Sequence, residues 1–362
     1  MDPLGIGLVG TGNIAGGYAR DIPTHPSIRL VSAMDLDPAR AAAFGAAHGC
    51  RIHGSLDELL ADPDVDIVVN LTVHHAHFEV TRRALEAGKH VYSEKPMALE
   101  PGQARELIEI ATRHGVRLGC APATFLGEAQ QTAAAWIRDE RLGPIRAVYA
   151  DVSHGRIEAW HPAPEPFFDV GVLVDVAVYP LTLVTTMVGP ATSVRAWGWD
   201  LMPDRVTVDG RPFHIGSPDL IVLAVELEGG AVLRLTGSFY VGRPAKHRAG
   251  LEFHGDAGSF ALGSFQDFNA AIEFGPYDGE YEPVAYVRPP FEGIAWGRGV
   301  ADLASAIVDD RPHRASAEQA AHVVDILAAA RASMAADGRP MPIDSSFPRP
   351  ALMPWAVIAP AP

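Results

Sequence analysis

Gly10, Gly12 and Ala15 stand in a G-x-G-x-x-A arrangement directly after an apolar run at residues 5–9. Small residues at this spacing let a chain turn from strand to helix around a phosphate group. Gly10 permits the tight turn, and Gly12 leaves the backbone open to a pyrophosphate. Ala15 lets the following helix lie close to its strand while the amides at its start, at Asn13 and Ile14, face the phosphates. A second apolar run, 28–34, ends in Asp35, 25 residues beyond Gly10. At that distance an acidic side chain accepts hydrogen bonds from an adenosine ribose. A 2′-phosphate would meet the same carboxylate, and residue 36 is leucine rather than arginine, which points to NAD as cofactor rather than NADP.

Other polar residues fall where chemistry could follow. Glu94 and Lys95 come directly after a short apolar strand at 90–92, near the strand ends where parallel sheets place ligands. Lys95 there is a fixed positive charge able to lower the pKa of a neighbouring acid and to hydrogen-bond a reacting oxygen. Asp175 and Tyr179 are four residues apart, a spacing that on one helix sets both on a shared face and lets both point into a cleft between domains. His74, His75 and His77 form a cluster, but neighbours on a turn rarely converge on one metal and no H-E-x-x-H motif occurs. No metal site is expected, and His77 is read as capping or packing near the cofactor loop. Cys50 and Cys120 lie in no C-x-x-C or zinc spacing, which argues against a disulfide framework.

The elements that must position these residues read as two regimes. From 5 to 125, strands and helices alternate: helices at 38–47, 56–60, 77–87 and 101–114, strands at 28–34, 67–71, 90–92 and 116–120. That is the rhythm of a parallel sheet covered on both faces. Asp37 and Pro38 suit a helix start, and Gly88 and Gly115 suit helix stops. Beyond a helix at 126–142 the period changes to strands at 145–152, 192–199, 219–227, 231–239, 251–254 and 259–261, separated by glycine, proline and aspartate clusters. One helix, 175–187, precedes most of this run and two, 297–308 and 317–336, follow it. The expected fold is a Rossmann domain over 1–125, then a second domain over 126–339 with an open, antiparallel or mixed sheet, then an extended proline-rich tail over 340–362. With 44 acidic residues against 29 Lys and Arg, the net charge of −15 argues against binding nucleic acid or an anionic membrane surface. Nothing reads as a signal segment or a continuous membrane span, so a cytoplasmic protein is expected.

The segment Ala-Gly-Lys-His-Val-Tyr-Ser-Glu-Lys-Pro at 87–96, together with the glycine motif, resembles the Gfo/Idh/MocA family of nicotinamide-dependent oxidoreductases. The resemblance implies that the Glu-Lys-Pro triplet lies beside the nicotinamide and that Lys95 belongs to the catalytic group. The stretch 64–77 resembles the family's strand and turn toward the cofactor, with Thr72 and His77 in matching positions. Residues 171–180 resemble its helix carrying an aspartate and an aromatic or histidine four residues on, here Asp175 and Tyr179. The family's run of glycines before that helix is reduced to Gly171, and residue 177 is alanine, which alters the local shape of a substrate pocket but removes neither polar side chain. The likeness continues through 251–260 and 311–316. His161 resembles a substrate contact of one branch of the family, and Arg156, Lys246 and His247 are weaker pocket candidates.

The resemblance implies hydride transfer between NAD and a secondary alcohol of a sugar, cyclitol or related polyol, with Lys95, Asp175 and Tyr179 catalytic. Either Tyr179 or Lys95 could move the hydroxyl proton, and Asp175 could orient the substrate or tune Lys95. The alternative reading is a glycosidase that keeps NAD bound and uses transient oxidation to loosen a glycosidic bond. A homodimer or homotetramer assembled through the open sheet is expected.

Overall fold

Contacts divide the chain into two compact units, Met1–Ala123 with Ala295–Val324 and Thr124–Ile294 with Asp325–Pro362. The structure is a computed structural model and describes residues 2–242 and 244–357; the last five residues of the expected tail, 358–362, lie outside the described residues.

Unit 1 is built on a six-stranded parallel sheet of β1 (Leu4–Val9), β2 (Ile28–Met34), β3 (Arg51–His53), β4 (Ile67–Asn70), β5 (His90–Ser93) and β6 (Leu118–Cys120). Its order is β3-β2-β1-β4-β5-β6. Between the strands run the helices α1 (Ala15–Asp21), α2 (Pro38–His48), α3 (Leu56–Ala61), α4 (His77–Glu86) and α5 (Pro101–His114). β4 is apolar along both faces because helices cover both, and Ile67, Val68 and Val69 are wholly buried. The core continues through Val9, Val91, Leu107, Ile110 and Leu118. Local chemistry sets the helix ends. The Asp37 carboxylate accepts the Ala39 and Arg40 amides at 3.0 and 3.2 Å, with Pro38 opening α2. Gly115, at φ +66°, closes α5 in the left-handed conformation. The sheet changes direction at β1, whose neighbours are β2 and β4, and such a switch point opens a crevice at the carboxyl ends of the strands.

Unit 2 opens with α6 (Glu128–Arg138) and β7 (Ile145–Ser153), then α7 (Glu165–Asp175) and α8 (Val178–Met187). Its main strands are β8 (Ala191–Trp199), β11 (Leu220–Leu227), β12 (Val232–Ser238), β13 (Ala249–Gly255), β14 (Gly258–Leu262) and β15 (Ile272–Pro276). With the two-residue strands β16 (Glu282–Pro283) and β17 (Met341–Pro342) they form a nine-stranded sheet in the order β16-β15-β14-β13-β7-β12-β11-β8-β17. The β12–β7 pair is parallel and the others are antiparallel, so the sheet is mixed. A separate hairpin pairs β9 (Asp204–Val206) with β10 (Pro212–His214). Along β7, Val148, Ala150 and Val152 are buried while Tyr149 between them is exposed, the alternation of a sheet packed on one face. Helices α7 and α8 cover the packed face.

Three expectations change. The helix read at 175–187 is two helices, with Asp175 ending α7 and Tyr179 in the first turn of α8. Gly171, at φ +73°, also interrupts α7, and a Cβ there would lie 2.2 Å from the Ser217 hydroxyl oxygen. Next, the stretch Glu165–Met187 is long and apolar enough to pass for a membrane span, contrary to the reading that none existed, and it is mostly buried within unit 2. Finally, residues 295–324, including α9 (Arg298–Val308) and the start of α10 (Ala317–Ala335), group with the parallel-sheet unit. Gly297 donates to Asp21 at 2.5 Å and Cys120 to the Ala315 carbonyl at 3.1 Å. The described tail runs extended over unit 2, through β17 and a hydrogen bond from the Met353 amide to Gln131, with a single turn of 3-10 helix at Pro354–Ala356.

Candidate active site

The glycine turn and the acidic residue meet at the switch point of unit 1. Gly10, at φ +94°, donates to the Met34 carbonyl at 2.8 Å, and a Cβ at this position would stand 2.8 Å from the Leu71 carbonyl. Only glycine satisfies both conditions. Gly12 is exposed and a Cβ there would meet nothing within 4 Å, so its face of the turn is open. Asn13 is exposed beside it and Ile14 half-buried, at the start of α1. Asp35 Oδ2 accepts the Thr11 amide at 2.7 Å and the Thr11 hydroxyl at 3.0 Å, while Oδ1 accepts the Asp37 amide at 2.9 Å. Burial pushes the Asp35 carboxyl up, but these donors and the Arg40 guanidinium outweigh it and hold it below its ordinary value. Arg40 Nη1 lies 3.7 Å from Asp35 Oδ2. Inspection of residue 36 alone missed this arginine, because the first turn of α2 is what returns it to Asp35.

The turns after β4 and β5 form the next part of the crevice. Asn70, fully buried, accepts the Thr72 hydroxyl at 2.7 Å and the Thr72 amide at 3.2 Å. Its amide donates to the His77 carbonyl and the Thr81 hydroxyl, both at 3.1 Å. His77 Nδ1 lies 2.7 Å from the Pro96 carbonyl and Nε2 lies 3.0 Å from the Thr72 carbonyl. The ring therefore braces the two turns against each other. Burial depresses its pKa more than the two carbonyls and Glu94 raise it. With both nitrogens so engaged, His77 is not placed to chelate, and among the described residues no group of three His, Cys, Asp or Glu could hold a metal. Glu94 is buried and its Oε1 accepts the Tyr18 hydroxyl at 2.8 Å, while Oε2 accepts the Lys95 amide at 3.1 Å. Its carboxylate thus shapes the loop that presents the half-buried Lys95. Sequence reading missed Asn70 and Tyr18.

The other candidates belong to unit 2. Asp175 and Tyr179 are both buried, and the Tyr179 ring lies 5.7 Å from that of Phe265. Arg156 is exposed with its guanidinium 4.9 Å from the Tyr240 ring. His161 Nδ1 accepts the Ala163 amide at 3.1 Å, and its ring meets Phe167 edge-on at 4.9 Å. Lys246 and His247 line a groove with Tyr149, Asp151 and Arg234. These strand residues point away from the side of β7 that α8 covers, so the structure sets Lys246 and His247 apart from the Tyr179 face.

A glycine turn, an acidic residue just after the second strand and a 3-2-1-4-5-6 parallel sheet together define a Rossmann-type dinucleotide-binding unit. Residues 4–121 match the family described as "Oxidoreductase family, NAD-binding Rossmann fold", and residues 130–261 match the "GFO/IDH/MocA C-terminal domain". The chain belongs to the Gfo/Idh/MocA family of NAD(P)-dependent oxidoreductases. It is 31% identical over 237 residues to the uncharacterized oxidoreductase ORF334 of Rhizobium meliloti, covering 63% of this chain and 70% of that protein. Against D-xylose 1-dehydrogenase (NADP(+)) of Hypocrea jecorina it is 32% identical over 200 residues, 49% of this chain and 51% of that protein. The match therefore spans about half the length of that relative. The crystal structure of an oxidoreductase domain protein from Kribbella flavida superposes with a TM-score of 0.83 at 22% identity, over 95% of this chain and 100% of that one, which shows a shared fold.

Proposed function

We propose that the protein is a dehydrogenase or reductase of a sugar, cyclitol or related polyol, acting with NAD in preference to NADP. The observation that carries the reading is the meeting of the open Gly12 turn, the Thr11-bonded Asp35 and the Lys95 loop along one edge of a single parallel sheet. The residues fit a dinucleotide: Gly12 leaves space for a pyrophosphate, Asp35 offers lone pairs to a ribose diol, and the exposed Leu36 and Val73 offer apolar faces to a flat base. When bound, the nicotinamide supplies a carbon that exchanges hydride with the carbon bearing the substrate hydroxyl. Lys95 supplies the cation that stabilises negative charge on that oxygen. A phenol with an ordinary pKa of about 10 is a poor acceptor near neutrality, so Tyr179 moves the proton only with help from a cation, or Lys95 moves it and Tyr179 positions the substrate. Asp175 orients a hydroxyl group.

The sugar class is supported by D-xylose 1-dehydrogenase among the relatives. That relative is NADP-dependent by name, and Arg40 beside Asp35 supplies a cation that a 2′-phosphate could use. NAD preference accordingly rests on the Asp35 charge and is limited by Arg40. The uncovered sheet face, with Tyr149, Trp199 and Val232 exposed, supports assembly as a homo-oligomer. The two free cysteines suit a reducing, cytoplasmic setting. The test is cofactor reduction at 340 nm with NAD and with NADP over a panel of aldoses and polyols. Turnover of at least one with net NADH or NADPH formation supports the reading. Firm cofactor binding without turnover of any contradicts it, and release of free sugar from glycosides without net reduction would assign the glycosidase chemistry instead.

A further inference from the structure

Arg205 is the largest fully buried side chain among the described residues, and it sits among groups that no reading of the active site has used. Its Nη1 donates to both oxygens of Glu158, at 2.8 and 2.9 Å, and to the Phe239 carbonyl at 3.3 Å. Nε donates to the Met202 carbonyl at 3.0 Å, Nη2 pairs with Asp219, and the guanidinium lies 4.7 Å from the Phe168 ring on α7. The two carboxylates depend on it unequally. Asp219 also accepts the Leu201 and Met202 amides, at 2.7 and 3.1 Å. Glu158, 5% exposed, has Arg205 as the donor to both its oxygens.

Glu158 lies in the short turn that carries the two candidate substrate contacts. The Ala159 amide bonds to the Arg156 carbonyl at 3.1 Å, and the Trp160 and His161 amides bond to the Ile157 carbonyl at 3.1 and 2.9 Å. Ile157 and Glu158 point inward while Arg156 and Trp160 are exposed. Two inward anchors thus hold out the side chains on either side of them. A buried carboxylate stripped of its donor must take up a proton or leave the interior, and leaving would carry the turn with it.

We infer that Arg205 is a positioning residue, which through Glu158 holds the 156–161 turn as a preformed element for contacting and selecting substrate. The inference rests on the proposed sugar or polyol reading for the contact, but the holding of the turn is independent of it. Glu158→Gln and Arg205→Met in the full-length protein test both parts. Glu158→Gln keeps one carbonyl acceptor for the guanidinium but turns an amide donor toward it, so this milder variant decides the matter if Arg205→Met does not fold. Hydrogen exchange at the 157–161 amides should quicken by roughly 10-fold or more, with β1 and β4 unchanged. For whichever of D-xylose, D-glucose or myo-inositol the wild type oxidises best, KM should rise about 10-fold with kcat within about 3-fold and NADH affinity unchanged. A general loss of structure would move exchange everywhere and NADH affinity with it. Unchanged exchange in the turn overturns the positioning role, and faster exchange with unchanged KM overturns the substrate role. If the wild type oxidises none of these three compounds, the sugar or polyol reading fails while the exchange measurement still decides whether Arg205 holds the turn.

Discussion

Asp35→Asn is the substitution whose effect can be worked furthest. The carboxylate accepts three donors inside the turn, two at Oδ2 and one at Oδ1. A carboxamide has only one oxygen, so keeping Thr11 satisfied sets an NH2 against the Asp37 amide. The same change removes the charge offered to a ribose diol, and one charge-assisted hydrogen bond is worth ~1.5–3 kcal/mol, or about 10- to 150-fold in NAD affinity. NADP binding loses that contact too, but it also loses repulsion between the carboxylate and the 2′-phosphate, ~2 kcal/mol for unit charges about 8 Å apart at an effective dielectric constant near 20. The ratio of NAD to NADP affinity should therefore shift toward NADP by roughly 30-fold at low ionic strength, and less in salt. Arg40→Ala should move the ratio the other way. Fluorescence titration with NADH and NADPH reads both. An unchanged ratio in Asp35→Asn would show that Asp35 serves only the turn and that the cofactor argument built on it is wrong.

Gly12→Ala should leave the melting temperature unchanged, since its Cβ meets nothing within 4 Å, yet weaken NADH binding about 10-fold or more by filling the space for the pyrophosphate. Gly17→Ala should do the reverse in scanning calorimetry, costing ~1–3 kcal/mol of stability, because its Cβ would stand 2.6 Å from the Trp296 ring. Tyr18→Phe removes a donor from the buried Glu94 carboxylate; a loss of ~1.5–3 kcal/mol in denaturant titration is expected, falling to ~0.5–1.5 kcal/mol in a Glu94→Gln background where the acceptor is neutral. His77, His90 and His313 all have pKa values depressed below 6.5, chiefly by burial. The unfolded chain binds protons at these sites more readily than the folded one, so their contribution is fully present above about pH 6.5 and is lost as pH falls below it. A melting temperature that does not drop between pH 7.5 and 5.5 would contradict these assignments.

What was legible in the sequence was local. The Gly10 to Ala15 turn, the Asp37 and Pro38 helix start and the alternating strands of the sheets follow from residues a few positions apart, whereas the bonds from Thr11 to Asp35 were not foreseen. Long-range partners were not legible. Tyr18 reaches Glu94 across 76 residues and Arg205 reaches Glu158 across 47, and no periodicity announces such pairs. The four-residue spacing of Asp175 and Tyr179 misled in a different way: it fits one helix, but the chain breaks between the two residues, with Asp175 ending α7 and Tyr179 in the first turn of α8. The return of 295–324 to unit 1 was hidden because its apolar pattern identifies a helix without identifying the sheet it packs on.

The most direct measurement is stopped-flow formation of NADH under saturating substrate, with direct cofactor titration, for Lys95→Met and Tyr179→Phe. The first keeps much of the aliphatic reach and deletes the charge; the second keeps the ring and deletes the oxygen. Groups that act as the reaction develops should lower the transfer rate by roughly 100-fold or more in each variant while NAD affinity stays within about 3-fold. Loss in Lys95→Met alone would assign proton transfer to Lys95 and leave Tyr179 to position substrate. Near wild-type transfer in both variants would contradict the proposed site.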